Sequence, residues 1–151
     1  MYCSINDLRE LLEEDSLLDL TDDEGDGSFV VSPTPNAAYK RILSAIKEAD
    51  GIIDSYLCGR YETPLNSVPD IIVKVSAHLT ICNLFQRRPK SRIPEDLTER
   101  RRGQINLLKD MQSGKAKLPG LIDNSVAPAG DYLCSKTKND TMFDDATMGM
   151  M

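Results

Sequence analysis

Aromatic residues are scarce in this chain of 151 residues, which has no tryptophan and only 5% aromatic side chains. Because 40% of the residues are hydrophobic, the core must be mainly aliphatic, which favours packed helices over a β-sandwich. No apolar run approaches the roughly 18–20 residues that a membrane-spanning helix needs. No basic segment leads into an apolar stretch at the N-terminus, so we expect no secretory signal and a cytoplasmic protein.

Residues that carry catalysis or bind metals are also sparse. The four cysteines, Cys3, Cys58, Cys82 and Cys134, lack the short spacing of zinc or redox motifs. Cys58 and Cys82 lie beside apolar positions and are predicted to be buried. His78 is the only histidine, and its apolar neighbours indicate a packed or partly exposed helix residue. Without a histidine-based triad or a glycine-rich phosphate loop, we expect neither an enzyme nor a cofactor.

An acidic, glycine-rich turn is predicted at residues 21–28. Asp22, Glu24 and Asp26 alternate there and a glycine follows, as in the first half of an EF-hand calcium loop. The twelfth position of such a loop would be Pro33, where a glutamate is required. A charged surface turn is therefore the preferred interpretation, and ion binding by this turn stays open.

Hydrophobic periodicity predicts about four helices, which makes the expected fold an all-α bundle. Ser4 is placed to cap the first helix, and Asp7 would complete a capping box. A brief apolar strand or extended piece is predicted at residues 29–31. The predicted helices cover residues 4–14, 34 or 36 to 57, 69–87 and 94–113.

The clearest local signal lies at residues 48–65. Tyr56 and Leu57 continue the apolar face of the second predicted helix, and Pro64 follows where that helix cannot resume. Gly59 stands where a left-handed C-cap residue belongs. We predict a packing corner between two helices here, with a structural role favoured over partner contact. This corner motif consists of Asp54, Tyr56, Gly59, Arg60, Tyr61 and Pro64.

Charge is unevenly distributed, although the net charge of −6 argues against general nucleic-acid affinity. Residues 7–26 hold ten acidic side chains and one arginine, whereas residues 87–117 hold ten basic and four acidic ones. This asymmetry suits a head-to-tail ring in which acidic and basic faces of neighbouring copies meet, or simply two solvated faces. The basic residues expected at a subunit contact or a DNA channel are Arg87, Arg88, Arg100, Arg101 and Arg102.

The composition changes after Lys117, where prolines and glycines interrupt a segment with little periodicity. We therefore divide the chain into a helical domain, residues 1–116, and an extended C-terminal arm, residues 117–151. Apolar side chains in such a segment favour an arm that becomes ordered on a partner. The residues expected to bind the partner are Leu133, Met142, Phe143 and Met148.

Several segments together resemble a family of small proteins encoded in Mu-like prophages. The resemblance covers about residues 1–112 and includes the opening Met1-Tyr2 and the acidic turn. The end of the chain, residues 141–150, also looks like the short C-terminal signature of some prophage neck proteins. The segments with the most specific resemblance are Ala49-Asp50, Ile53-Asp54-Ser55-Tyr56-Leu57, Gly59-Arg60-Tyr61 and Pro64-Leu65.

Members of that family are assigned to the neck of tailed phages and resemble helical head–tail connector adaptors. The resemblance therefore implies a structural virion protein that docks as a ring on the portal and extends the DNA channel toward the tail. The implied partners are the portal protein, the next neck or tail-completion protein, further copies of the chain and non-specifically contacted DNA, with no membrane. The implied location is the virion neck, and the host cytoplasm during assembly. A non-specific or regulatory DNA-binding protein that uses the five arginines is the alternative.

Overall fold

A computed structural model describes residues 1–23, 37–87 and 93–124. The described residues form five helices and no strand, so the predicted all-α fold is confirmed. The helices are α1 (Ile5–Leu11), α2 (Glu14–Thr21), α3 (Ala37–Leu57), α4 (Asp70–Arg87) and α5 (Glu95–Ser113). The most extensive contact is between α3 and α4, and α5 packs against both of them. The helix α1 packs against α4, and α2 packs against α3 and α4.

The start of α1 is the predicted capping box. The Ser4 hydroxyl accepts a hydrogen bond from the Asp7 N–H at 3.4 Å, and the Asp7 carboxylate accepts one from the Ser4 N–H at 2.6 Å. These two bonds satisfy backbone donors that the first turn of a helix leaves without partners. The helix then ends at Leu11, three residues before the predicted end.

A second short helix, α2, lies between the predicted end of the first helix at Glu14 and the predicted turn, where sequence analysis predicted no helix, and it takes in Thr21, the first residue of that turn. Glu14 and Asp15 lie in its first turn, where carboxylates favour the helix dipole. Leu17 is fully buried and Leu20 is nearly so. A helix of eight residues is not stable alone, so its burial against α3 and α4, which the local pattern does not reveal, accounts for its presence.

The core is aliphatic, as the low aromatic content predicts. It consists of two clusters that share the α3–α4 interface, one toward the corner and α5, the other toward α1 and α2. Tyr2 and Tyr61 are the aromatic residues among the buried side chains of the described ranges. The fully buried large side chains include Leu8, Leu17, Ile42, Ile46, Ile53, Leu57, Ile72, Leu79, Leu84 and Leu108.

The predicted left-handed C-cap at Gly59 is wrong. Within the described ranges, the residues with positive φ are Gly114 at 81° and Gly120 at 77°. The chain instead leaves α3 through a tight turn in which the N–H groups of Arg60 and Tyr61 both bond to the Leu57 carbonyl at 2.9 Å. The left-handed cap belongs to α5, where Gly114 follows Ser113.

Predictions for individual side chains had mixed outcomes. Cys82 is buried as predicted and His78 is partly exposed on α4, but Cys58 is exposed because Leu57 takes the last buried position of α3. Predictions that concern residues 29–31, the acidic turn from Glu24 onward and Cys134 fall outside the described residues. No helix in the described ranges is both long enough and apolar enough to cross a membrane.

Candidate functional site

Tyr2 is inserted between α3 and the corner and is only 5% exposed. Its hydroxyl donates a short hydrogen bond to Asp54 and accepts one from the Leu65 N–H at 3.0 Å. Its backbone N–H lies 3.2 and 3.1 Å from the two carboxylate oxygens of Asp50. Burial and the hydrogen bond to Asp54 raise the pKa of Tyr2 from 10.0 to about 12. Tyr2 therefore joins α3 to the connection that leads into α4.

A line of polar side chains runs through the interface of α3, α4 and α5. The Ser76 hydroxyl donates to Asp50 at 2.9 Å. About two turns further along α4, the Asn83 amide donates a hydrogen bond to the Ala45 carbonyl at 3.5 Å and accepts one from Arg101 at 2.9 Å. Because buried polar groups are costly without partners, these contacts fix the register of the three helices.

The chain after α5 returns to the corner, and we call residues 117–124 the arm root. The Leu118 N–H donates to the Tyr61 hydroxyl at 3.1 Å, and both residues are 3% exposed. The Asn124 N–H donates to the Arg60 carbonyl at 2.7 Å. Arg60 also pairs with Asp123 at 3.2 Å. The described part of the predicted arm therefore lies against the helical body, while the division at residue 116 stays a prediction.

Gly114 lies directly beside the Arg60 guanidinium. A Cβ atom at Gly114 would overlap that guanidinium, and the φ of 81° is itself unfavourable for other residues. The cation thus sits at the C-terminal end of α5, where the helix dipole favours positive charge. The end of α5, the corner and the arm root consequently meet at Arg60.

The remaining members of the corner motif have different environments. Tyr56 is half-buried and packs against the core cluster on the corner side. Gly59 is exposed. Pro64 is also exposed, after a cis Thr63–Pro64 peptide bond. Asp54, Arg60 and Tyr61 each contact residues distant in sequence, which is the structural role that sequence analysis favoured for the motif.

The basic residues of the prediction that the structure describes have different environments. The Arg87 guanidinium donates hydrogen bonds to the two carboxylate oxygens of Asp23, at 2.6 and 2.7 Å, and to the Leu20 carbonyl at 2.7 Å. The hydrogen bond to Asp23 raises the pKa of Arg87 above its ordinary value. Arg101 is held by Asn83, whereas Arg100 and Arg102 are exposed on α5. Arg88 lies outside the described residues.

The surface of the described structure includes a cavity on the α1–α4 side and another beside the corner. One, of about 430 Å³, lies between α1 and α4, and its lining includes Glu10, Asp70 and His78. Burial, with a smaller effect of Arg100, lowers the pKa of His78. The other, of about 300 Å³, lies between the corner and the arm root. It has Ile122, 83% exposed, at its edge. Among the described residues no cluster of three potential ligands could hold a metal ion.

The contacts of Tyr2 and Asp123 were not predicted from the sequence. Asp50 and Asp54, four residues apart beside the buried positions of α3, were a readable signal that this helix face binds a polar partner. Their partners lie far away in the chain, so the pattern could not identify them. The predicted arm residues Leu133, Met142, Phe143 and Met148 fall outside the described residues, and their role stays a prediction.

The comparison with protein families agrees with the resemblance seen in the sequence. The model of the family described as bacteriophage Mu, Gp36 matches residues 2–133. The matched range contains all five described helices, the corner and the arm root. No curated protein matches the sequence. Since the match spans most of the 151 residues, the chain belongs to the bacteriophage Mu Gp36 family.

Proposed function

We propose that this protein is a head–tail connector adaptor, which docks as a ring on the portal and extends the DNA channel toward the tail. Membership in a phage Mu family indicates a phage structural or morphogenesis protein. The finer role is supported by the resemblance of the corner segments to neck proteins and by the all-α fold. We further propose that the protein acts by binding and not by catalysis.

The observation that carries this proposal is the attachment of the arm root to the body. Leu118 is buried in the core and Asn124 is hydrogen-bonded to the corner, so residues 125–151 continue from a defined point. Fixing one end of a binding segment lowers the entropy that it loses on binding. Apolar arm residues such as Phe143 and Met148 then supply contact area for the portal.

Contacts between neighbouring copies of the chain in the ring would use charged side chains that are not already paired within one copy. Glu10 and Asp70 are exposed beside the α1–α4 cavity, and no ion pair of either one occurs in the described ranges. Arg100 and Arg102 are exposed on α5 and could meet such carboxylates in a neighbouring copy. Asp23 and Arg87, in contrast, already pair with each other.

DNA binding is the second candidate, since exposed Arg100 and Arg102 could contact phosphates without sequence specificity. In a connector these arginines could contact DNA in the channel instead of the carboxylates of a neighbouring copy. The described basic surface is smaller than the sequence predicted, because Arg87 and Arg101 are held by Asp23 and Asn83. A net charge of −6 also opposes tight DNA binding.

Fluorescence anisotropy of the labelled full chain against purified portal, and separately against duplex DNA, tests the proposal. The matched control is a chain that ends at Asn124, which keeps Leu118 in the core and the arm root on the corner. We expect the full chain to bind the portal, the shortened chain to lose that binding, and neither to bind DNA tightly. Salt-sensitive DNA binding without any portal binding would instead support the second candidate.

A further inference from the structure

Arg60 contacts three positions of the chain that follow α5. Its side chain pairs with Asp123, and the side-chain exposures are only 18% and 13%. Its carbonyl accepts the Asn124 N–H at 2.7 Å. Its guanidinium occupies the space beside Gly114 that a larger residue would fill. Both ends of the segment from residue 114 to residue 124 thus contact the same residue of the corner.

We infer that Arg60 is a positioning residue for the C-terminal arm. It holds the arm root on the corner and so fixes the position of Asn124, to which residues 125–151 are joined. The use of this position in binding rests on the proposed function. The holding itself is a property of the folded chain and is measurable without any partner.

The geometry of the ion pair suits a positioning role. Nη2 of Arg60 lies 3.2 Å from Oδ2 of Asp123, and Nε lies 3.4 Å from Oδ1. The first is an ion-pair contact and the second a hydrogen bond, and two contacts to different oxygens restrict the orientation of the carboxylate more than one would. Because both side chains are mostly buried, solvent and salt screen this pair less than an exposed one.

The helical body does not depend on these contacts. Leu108 and Met111, which are 0% and 1% exposed, fasten α5 to the core before the chain reaches Gly114. The arm root is itself fastened at its start by Leu118, which is 3% exposed. Loss of the Arg60 side chain should therefore release residues 119–124 while the five helices remain folded. Tyr61 is less suitable for a test, since it is part of the core.

Hydrogen exchange of the full chain, followed by mass spectrometry, tests the inference directly. In Arg60→Ala, the Asn124 N–H, which bonds to the backbone carbonyl of residue 60, should exchange about tenfold faster or more in the peptide that covers it, because loss of the side-chain ion pair lets the segment open more often. Peptides from α3 and α4 should be unchanged. Arg9→Ala is the matched control, because it removes an arginine ion pair, with Glu14 at 2.8 Å, in a different part of the chain. Unchanged exchange of residues 119–124 in folded Arg60→Ala would overturn the inference.

A second variant covers the case in which Arg60→Ala fails to fold. Asp123→Asn keeps the shape of the side chain but removes its charge, and it lies on the arm root rather than in the body. It should accelerate exchange of the same peptides, and unchanged exchange there would also overturn the inference. The double variant Arg60→Ala with Asp123→Asn should increase exchange by less than the two single effects combined, because both changes weaken the same ion pair.

Portal affinity then separates this inference from the proposed function. If Arg60→Ala releases the arm root, portal affinity should fall by about tenfold with the arm still present, since a free arm root loses more entropy on binding. If hydrogen exchange shows that Arg60→Ala releases residues 119–124 while its portal affinity equals that of the wild type, the positioning role is wrong. If the wild-type chain binds no portal at all, the proposed function fails, and the exchange result alone decides whether Arg60 holds the arm root.

Discussion

Tyr2, Arg60 and Arg87 each join parts of the chain that are far apart in sequence. Tyr2 reaches Asp54 in α3, Arg60 reaches Asp123 in the arm root, and Arg87 at the end of α4 reaches the end of α2. Each contact involves the carboxyl group of an aspartate, which can accept hydrogen bonds on two oxygens. Single side chains therefore determine how the ends of the helices are connected.

The Tyr2 hydroxyl gives a prediction with a pH dependence. Tyr2→Phe removes the bond to Asp54 and leaves the Leu65 N–H without its acceptor, so the free energy of unfolding should fall by about 1.5–3 kcal/mol at neutral pH. The folded pKa of about 12 lies above the ordinary 10.0. The stabilisation is therefore complete below about pH 10 and is lost as the pH rises through about 12.

Urea unfolding of both proteins from neutral to alkaline pH measures this effect. The difference between wild type and Tyr2→Phe should shrink over that alkaline range. Tyr56→Phe is the control, because Tyr56 is half-buried and its hydroxyl makes no hydrogen bond to the corner within the described ranges. A difference between wild type and Tyr2→Phe that is zero at neutral pH, or constant with pH, would contradict the role assigned to the hydroxyl.

Three glycines give a second prediction at the residue scale. Gly114→Ala should lower the free energy of unfolding by about 1–2 kcal/mol for the left-handed backbone alone, and by more because Arg60 must move. Gly59→Ala should change it by less than about 0.5 kcal/mol, since open space surrounds Gly59. Gly51→Ala, in the exposed middle of α3, should raise it by about 0.5–1 kcal/mol.

Urea melts of the three variants distinguish the structure from the sequence-based expectation. If Gly59→Ala were as destabilising as Gly114→Ala, the result would contradict the structure and support the left-handed C-cap predicted at Gly59. Both glycines follow the end of a helix, so the local pattern alone cannot separate them. Tertiary structure separates them, because the end of α5 must leave room for a guanidinium from the corner.

At the scale of elements, long helices were predictable and short ones were not. The helices α3, α4 and α5 carry apolar stripes over 21, 18 and 19 residues, and their predicted ends agree with the structure to within a residue where the structure describes them. The break between α1 and α2 was not predicted. Each of these helices is too short for its own periodicity to be decisive. Packing stabilises both of them, α1 on α4 and α2 on α3 and α4.

Arg87 gives the prediction at this scale, since it ties α2 to the end of α4. Arg87→Ala should lower the free energy of unfolding by about 1 kcal/mol and increase hydrogen exchange in α2, because the contacts to Asp23 and Leu20 are lost. Arg102→Ala is the matched control on the exposed side of α5 and should be nearly neutral. Equal effects of the two substitutions on stability would contradict the assignment of Arg87 to an internal contact.

For the whole molecule, the sequence predicts the helical body and the corner, whereas only the structure shows how the chain after α5 is attached to them. Composition predicted an aliphatic, all-α body, and the residues at 48–65 predicted a packing corner. The attachment of residues 117–124 to that corner was not predictable, because it depends on contacts such as Leu118 with Tyr61, which lie 57 positions apart. The function of the arm depends on a partner, and no local pattern in this sequence specifies that partner.

The measurement that tests the adaptor role most directly is native mass spectrometry with the portal encoded in the same genome. The full chain is measured alone and mixed with the portal, and the chain ending at Asn124 serves as the control that keeps the body and the arm root. We expect the full chain to be a monomer when measured alone and to form a complex of several copies when mixed with the portal. The shortened chain should form no complex with the portal. Absence of a portal complex at every salt concentration would contradict the adaptor role.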